Sequence, residues 1–194
     1  MSRSALNIIH EEHRALAAML RSLRMLADRM RERASASDFD LMRAILFYID
    51  EFPERLHHAK ESGVLFPRLR LRAPQASAVL DRLDAEHARG EAQIRELEHL
   101  LLAFEQMGAP RRQAFLDGLE RYVRFYLEHM QIEERDMLPL AAATLSEDDW
   151  REIDRSFDEN RDPLTGHKPS EQYEALFTKI LSSAPAPIGL GPAS

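Results

Sequence analysis

The chain of 194 residues carries 26 Lys and Arg against 33 Asp and Glu, a formal net charge of −7, and it contains no Cys. The acidic balance argues against a nucleic-acid partner, and the lack of Cys excludes disulfides, iron–sulfur clusters and thiolate zinc sites. No apolar run reaches the ~18 residues of a membrane span, and the N-terminus is unlike a signal peptide, so we expect a cytoplasmic protein. Helix formers prevail, with 27 Leu and 25 Ala against three Val and three Thr, which predicts an all-α fold.

Apolar residues recur at alternating steps of three and four, the period of an amphipathic helix. The first such segment covers residues 6–30. The second, roughly 38–70, is predicted to begin at an N-cap on Ser37 or Asp38 and to be kinked by Pro53.

The third and fourth segments continue the same pattern over 80–104 and 115–133. The breaks between segments fall near 34–37, 72–75 and 108–110. Because short connections force neighbouring helices to run antiparallel, we predict an up-down-up-down four-helix bundle over residues 1–145.

Shorter helices are predicted beyond the bundle. Ser146 is expected to cap one of them, and a last helix is expected at about 170–182. We therefore assign residues 146–182 to a C-terminal helical extension that packs on the bundle. The small, Pro- and Gly-rich residues of 183–194 predict a disordered tail.

A short internal repeat contains candidate metal ligands. Residues 57–67 have the sequence HHAKESGVLFP, and residues 129–139 have the sequence HMQIEERDMLP. In both, a His is followed four residues later by a Glu, so imidazole and carboxylate project from one helix face. The two pairs are His57 with Glu61 and His129 with Glu133. One such pair alone is typical of a surface hydrogen bond, but its repetition favours a metal site.

Two further histidines, His13 and His87, lie on the apolar stripes of the first and third segments, where a bundle core would otherwise carry Leu. At ~1.5 Å per residue, antiparallel packing brings them to the same height as His57 and His129. The resulting set of four imidazoles and two carboxylates suits iron, zinc, copper or manganese. Six ligands suit two ions bridged by the carboxylates, with positions left open for a small ligand.

Other polar residues near this level receive weaker predictions. His58 is expected at the surface or beside a ligand, and His10 on the flank of the first stripe, nearer the open end of the bundle. Tyr122 and Tyr126 are expected to pack in the core, where Tyr126 is also a candidate hydrogen-bond partner of the site.

Four stretches together resemble a known family. They are EEHRAL at 11–16, YIDEFPERLHHAKE at 48–61, EHARGE at 86–91 and YLEHMQIEE at 126–134. Through them the chain resembles the hemerythrin-like (HHE cation-binding) proteins of bacterial type over residues 5–143. The resemblance implies two non-haem iron ions joined by an oxo or hydroxo bridge. It also implies the ligands His13, His57, Glu61, His87, His129 and Glu133, with Glu61 and Glu133 as bridges.

One position departs from the oxygen-carrying members of that family, which have a second His four residues after the ligand of the third helix. This chain has Glu91 there, which argues against reversible oxygen carriage. The sequence leaves open whether Glu91 or His10 contacts a metal ion.

The leading hypothesis is a di-iron protein that binds O₂, NO or peroxide for sensing, storage or delivery. The alternatives are iron handling and a redox enzyme that turns over NO or peroxide. Because the chain has no flavin or nicotinamide motif, such an enzyme would need a separate electron donor as its partner. A ferritin-like oxidase is disfavoured, since its Glu-x-x-His pairs have i, i+3 spacing. A purely structural bundle is disfavoured as well, since it would bury four imidazoles and two carboxylates with nothing to offset the cost of removing them from water.

Overall fold

The computed structural model describes residues 4–159, 163–165, 171–184 and 188, and these residues form helices and their connections. The first bundle helix, α1, spans Ser4–Glu32. The second bundle helix is a continuous helical run over residues 36–72. It consists of α2 (Ala36–Ile49), a π-helical stretch (Asp50–His57), α3 (His58–Lys60), a second π-helical stretch (Glu61–Leu65) and α4 (Phe66–Arg72).

The third bundle helix, α5, spans Ser77–Met107 and follows a single 3₁₀ turn at Pro74–Ala76. The fourth bundle helix runs over residues 109–144. It consists of α6 (Ala109–Ile132), a π-helical stretch (Glu133–Met137) and α7 (Leu138–Thr144). Each bundle helix packs against the next one in the chain, and the fourth packs against the first. The predicted all-α bundle is confirmed.

A capping box starts the second bundle helix. The hydroxyl of Ser35 accepts a hydrogen bond from the amide of Asp38, and the carboxylate of Asp38 accepts one from the amide of Ser35. The N-cap predicted at Ser37 or Asp38 is therefore wrong, because Asp38 already lies inside the first turn and provides the reciprocal bond. The predicted N-cap at Ser146 is confirmed.

Two helices follow the bundle and pack on it. The first, α8 (Glu147–Asp158), lies against α1, where the amide of Ala5 donates to Asp154 at 2.9 Å. After a 3₁₀ turn at Pro163–Thr165, α9 (Glu171–Ser183) lies against α2 and buries Phe177. The domain boundaries stay a prediction, and most of the tail predicted at 183–194 lies outside the described residues.

The core consists of two apolar clusters stacked along the bundle axis. The larger cluster includes Leu20, Ile45, Leu101 and Leu119 from the four bundle helices. The smaller cluster includes Ile9, Leu65, Leu83 and Met137, and Ile153 of α8 covers it. The layer between the clusters contains the polar residues that the sequence singles out. None of the described helices is long and apolar enough to cross a membrane.

Candidate metal centre

The predicted ligands are buried in the layer between the two apolar clusters, with exposed fractions from 0 to 6%. The first and third bundle helices each supply one histidine. The second and fourth each supply a His–Glu pair one turn apart. These residues are His13, His57, Glu61, His87, His129 and Glu133. The structure brings all six predicted side chains together, and their role as ligands stays a prediction.

These side chains and His58 form two groups of candidate donor atoms. Within each group the atoms lie within 4.8 Å of one another. The His13/His57 group consists of His13, His57, Glu61 and Glu133, and the His87/His129 group consists of His58, His87 and His129. Two adjacent groups are the arrangement that a two-metal centre requires.

The two carboxylates of the His13/His57 group also face the other group, because each points one oxygen toward a histidine of its own group and the other oxygen toward a histidine of the His87/His129 group. Oε2 of Glu133 lies 3.3 Å from Nε2 of His13, whereas its Oε1 lies 3.2 Å from Nε2 of His129. Oε1 of Glu61 lies 3.4 Å from Nε2 of His57, whereas its Oε2 lies 3.4 Å from Nε2 of His87. This is the orientation that a carboxylate shared by two cations needs.

Most donor atoms that face the centre have no hydrogen-bond partner in the described part of the chain. They are Nε2 of His57, His87 and His129, and both carboxylate oxygens of Glu61 and Glu133. A buried polar atom without a hydrogen-bond partner costs ~1–3 kcal/mol of folding free energy. Seven such atoms in one layer would therefore destabilise an ordinary core. Bound cations would satisfy them together. Because the donors are imidazole nitrogens and carboxylate oxygens, the residues fit a transition-metal pair better than calcium or magnesium.

His58 is buried, with 5% of its surface exposed, so a surface position for this residue is wrong. Its ring stacks on that of His87, with the ring centroids 4.1 Å apart. Burial and the neighbouring His87 lower the pKa of His58 well below its ordinary value. A neutral imidazole keeps a lone pair for a metal ion. His58 can therefore add a third nitrogen to the His87/His129 group.

The π-helical stretch before His58 explains why two consecutive histidines both face inward. Pro53 has no amide hydrogen, and its ring excludes the carbonyl of the preceding turn, so it favours a wider turn. The amide of His58 donates to the carbonyl of Pro53, five residues back. The kink predicted at Pro53 is thus a widened turn inside a continuous helix, a feature frequent at functional sites.

The two central glutamates each begin a π-helical stretch of their own. The amide of Phe66 donates to the carbonyl of Glu61, and the amide of Leu138 donates to that of Glu133. A proline follows each of these amides and prevents an α-helical bond in the preceding turn. The two copies of the sequence repeat therefore also share a backbone feature, a π-helical stretch that begins at the glutamate.

The carboxylates make the central imidazoles strong bases. Burial opposes a charge on His13, but Glu133 and Glu134 outweigh it and raise the pKa of His13 to about 9. Against the same opposition from burial, Glu133 and Glu61 raise the pKa of His87 to about 9. Although burial disfavours a carboxylate, the imidazoles hold the pKa of Glu133 well below its ordinary value. Protons and metal ions therefore compete for the same atoms.

Each central histidine also points its Nδ1 atom outward, to a hydrogen-bond acceptor. For four of the histidines the acceptor is a glutamate. The Nδ1–carboxylate distances are 3.1 Å for His13 and Glu134, 2.7 Å for His57 and Glu12, 3.1 Å for His58 and Glu54, and 2.9 Å for His129 and Glu86. For His87 the acceptor is the hydroxyl of Ser62, at 2.9 Å. Bonds of this kind fix the tautomer and leave Nε2 for a metal. The helical period alone does not predict these acceptors, although a Glu directly before His13 and another directly before His87 are a signal for two of them.

Glu54 connects the centre to two buried tyrosines. Its Oε1 accepts hydrogen bonds from the hydroxyls of Tyr122, at 3.2 Å, and Tyr126, while its Oε2 faces His58. Burial raises the pKa of Glu54 to about 7, although the two phenol hydrogen bonds lower it. Gly90 provides the space, because a Cβ at this position would collide with the Tyr126 hydroxyl and lie 3.1 Å from both Glu54 oxygens.

A small cavity lies beside the His13/His57 group. Its volume is about 10 Å³, the size of one water molecule. Histidine rings and a carboxylate form its polar wall, and apolar side chains form the rest. The lining residues are Glu12, His13, Leu16, Phe52, Pro53, Leu56, His57, His58 and Met130.

Two residues left open by the sequence lie outside both donor groups. Glu91 is half exposed and pairs with Arg95 at 3.1 Å. His10 directs its Nδ1 atom to the carbonyl oxygen of Leu6. The centre is thus built without either side chain.

A helical bundle that buries imidazoles and carboxylates in one layer defines a metal-binding protein of the four-helix class. The profile of the hemerythrin HHE cation binding domain matches residues 4–141, and the chain belongs to this family. No curated protein matches the chain.

Proposed function

We propose that the protein binds two non-haem iron ions and takes up a small ligand, O₂, NO or peroxide, for sensing, storage or delivery. The observation that supports this most is the orientation of Glu61 and Glu133, each with one oxygen toward each histidine group. Both carboxylates would hold both ions, which the family resemblance implies are joined by an oxo or hydroxo bridge.

The proposal assigns unequal ligand sets to the two ions. The three histidines of the His87/His129 group would hold one ion, His13 and His57 would hold the other, and Glu61 and Glu133 would contribute to both. His58 then supplies the nitrogen that Glu91 does not. The ion with two histidines would keep a coordination position for an added ligand, and the cavity lies against both of these histidines as well as against His58.

The bound irons would supply ligand binding and electron exchange, and the protein would control what reaches them. Leu16, Phe52 and Met130 give the cavity an apolar wall. Its volume of about 10 Å³ favours ligands of few atoms over larger substrates. Outward hydrogen bonds from the Nδ1 atoms hold the imidazoles in place.

Elemental analysis of protein produced with ample iron tests the metal content, and two irons per chain are expected. One zinc per chain, unchanged by anaerobic iron reconstitution, would contradict the proposal. Azide added to the oxidised protein is expected to produce a charge-transfer band. A featureless spectrum at full iron loading would contradict an oxo-bridged pair.

Stopped-flow mixing of the reduced protein with O₂, NO and peroxide separates binding from turnover. A stable ligand-bound spectrum supports sensing, storage or delivery. Repeated consumption of NO or peroxide, in the presence of an electron donor, would instead indicate a redox enzyme at the same irons.

A further inference from the structure

The outward hydrogen bonds of the centre connect the four bundle helices in a closed circle. Each helix provides one acceptor for the histidine of the next helix, and the fourth helix provides one for the first. The bonds are Glu12 with His57, Ser62 with His87, Glu86 with His129, and Glu134 with His13. We call Glu12, Ser62, Glu86 and Glu134 the acceptor ring.

The members of the acceptor ring occupy repeated positions in the sequence. On the first and third helices the acceptor directly precedes the histidine, as Glu12 and Glu86 do. On the second and fourth helices it directly follows the central glutamate, as Ser62 and Glu134 do. The first pair is chemically identical, whereas the second pairs a hydroxyl with a carboxylate. Three members of the ring can therefore carry a negative charge, and Ser62 cannot.

Two of the charged members lie where water screens them little. The side chains of Glu12 and Glu86 are 9% and 16% exposed, whereas that of Glu134 is 44% exposed. A carboxylate that accepts Nδ1–H makes the imidazole a stronger electron donor at Nε2. Its charge also favours a higher positive charge on a nearby metal ion, and more so when it is partly buried.

We propose that the carboxylates of the acceptor ring bias the bound irons toward their higher oxidation state, and that Ser62 is the position at which this bias is relaxed. This inference rests on the proposed function, since it needs iron in the centre. It concerns the reduction potential, and the proposed function does not specify that quantity.

The Glu12→Gln and Glu86→Gln variants test the charge directly, because Gln keeps the side-chain length and an acceptor oxygen. The measurement is a potentiometric titration of the iron-loaded protein followed by its absorption. We expect each variant to shift the ratio of oxidised to reduced protein at a fixed potential roughly tenfold toward the reduced form. A tenfold change in that ratio corresponds to about 59 mV per electron, and loss of an outer partner of a metal ligand typically changes metal affinity by at least about tenfold.

Three further variants separate charge from packing. Glu91→Gln removes an exposed charge that contacts Arg95 and lies outside the ring, so the ratio should stay close to that of the unmodified protein. Ser62→Ala removes a ring hydrogen bond without changing the charge, and a shift well below tenfold is expected. Ser62→Asp adds a charge to the ring and should shift the ratio toward the oxidised form.

Unchanged potentials in Glu12→Gln and Glu86→Gln, with iron retained, would overturn the inference. A shift of Ser62→Asp toward the reduced form would overturn it as well, since packing rather than charge would then set the potential. If a Gln variant loses its iron, Ser62→Asp alone decides by the direction of its shift. An unmodified protein without two irons would refute the proposed function, and this inference with it, before any potential is measured.

Discussion

Met130 occupies the position on the fourth bundle helix that His58 occupies on the second. Each directly follows the histidine of its His–Glu pair, His129 or His57. His58 contributes a nitrogen to the His87/His129 group and also lines the cavity beside the other group, where Met130 offers only a thioether. Because a thioether is a soft ligand with little preference for iron, this one position would give the two proposed ions unequal numbers of nitrogen ligands.

The Met130→His variant is therefore expected to lose ligand binding while it retains two irons. A third imidazole on that side would take the coordination position that the ligand needs. We expect the affinity for azide to fall roughly tenfold or more, at least about 1.4 kcal/mol, in a spectroscopic titration. Met130→Leu is the control, since it keeps the apolar wall and should bind azide normally. Normal azide binding by Met130→His would refute the assignment of the open position.

A second prediction concerns the two carboxylates that face the histidines of both groups. Glu61→Ala and Glu133→Ala are each expected to lose more than one iron per chain, because each carboxylate would hold both ions. His87→Ala removes a ligand of one ion only, and partial iron occupancy should remain. Elemental analysis of the purified variants measures the difference. If both alanine variants keep two irons, the carboxylates do not bridge.

A third prediction uses the space around Gly90. Gly90→Ala is expected to push Tyr126 and Glu54 apart and to lower the free energy of unfolding by about 1–3 kcal/mol, the usual cost of overpacking. Since Glu54 orients His58, iron should also dissociate faster in the presence of a chelator. Gly63→Ala is the matched control, because a Cβ at Gly63 meets no atom within 4 Å. Equal stability of the two variants in urea would show that the Glu54–Tyr126 contact needs no glycine.

The height of the candidate metal centre along the bundle axis was predictable from the sequence, because helix geometry is nearly independent of tertiary context. A rise of ~1.5 Å per residue and antiparallel neighbours place His13 and His129 at one height, once the helix breaks are known. The repeated pairs His57–Glu61 and His129–Glu133 also indicated that the histidine and the glutamate of each pair share one helix face. The structure places all of these side chains in one buried layer.

The inward position of His58 was not predictable from an α-helical period. Two consecutive residues of an α-helix point in different directions, and only the π-helical stretch around Pro53 brings both histidines inward. The acceptors of the Nδ1 atoms were missed for a different reason. A contact such as that of Glu134 with His13 joins residues far apart in the chain, and it depends on the rotation of two helices about their axes.

A fourth prediction compares two neighbouring histidines of α1. His13 is 4% exposed and belongs to the His13/His57 group, whereas His10 contacts only the backbone of its own helix among the bonds described. His13→Ala is expected to lose iron or its azide band, and His10→Ala should keep both. Iron content and the azide spectrum of each purified variant provide the measurement. The opposite result would mean that α1 is rotated relative to the orientation described.

The last prediction concerns pH and the metal-free protein. The pKa values of His13 and His87 rise from 6.5 to about 9 when burial is outweighed by the central carboxylates. A group whose pKa is higher in the folded state stabilises the fold below its unfolded pKa, and this contribution disappears as the pH rises through the folded pKa. Chelator-treated protein should therefore become less stable toward urea between pH 6.5 and pH 9, the interval those values define.

The iron-loaded protein should show the opposite trend in that interval. Iron binds imidazoles that have lost their Nε2 protons, so the affinity for iron, and with it the stability that binding adds, rises with pH. Urea unfolding of both forms, in the same set of buffers, measures the two slopes. His87→Phe is a control for the metal-free form, because it removes one of the raised pKa values and should flatten the slope. A metal-free protein equally stable at both ends of the interval would show that these imidazoles are not held protonated by Glu61 and Glu133.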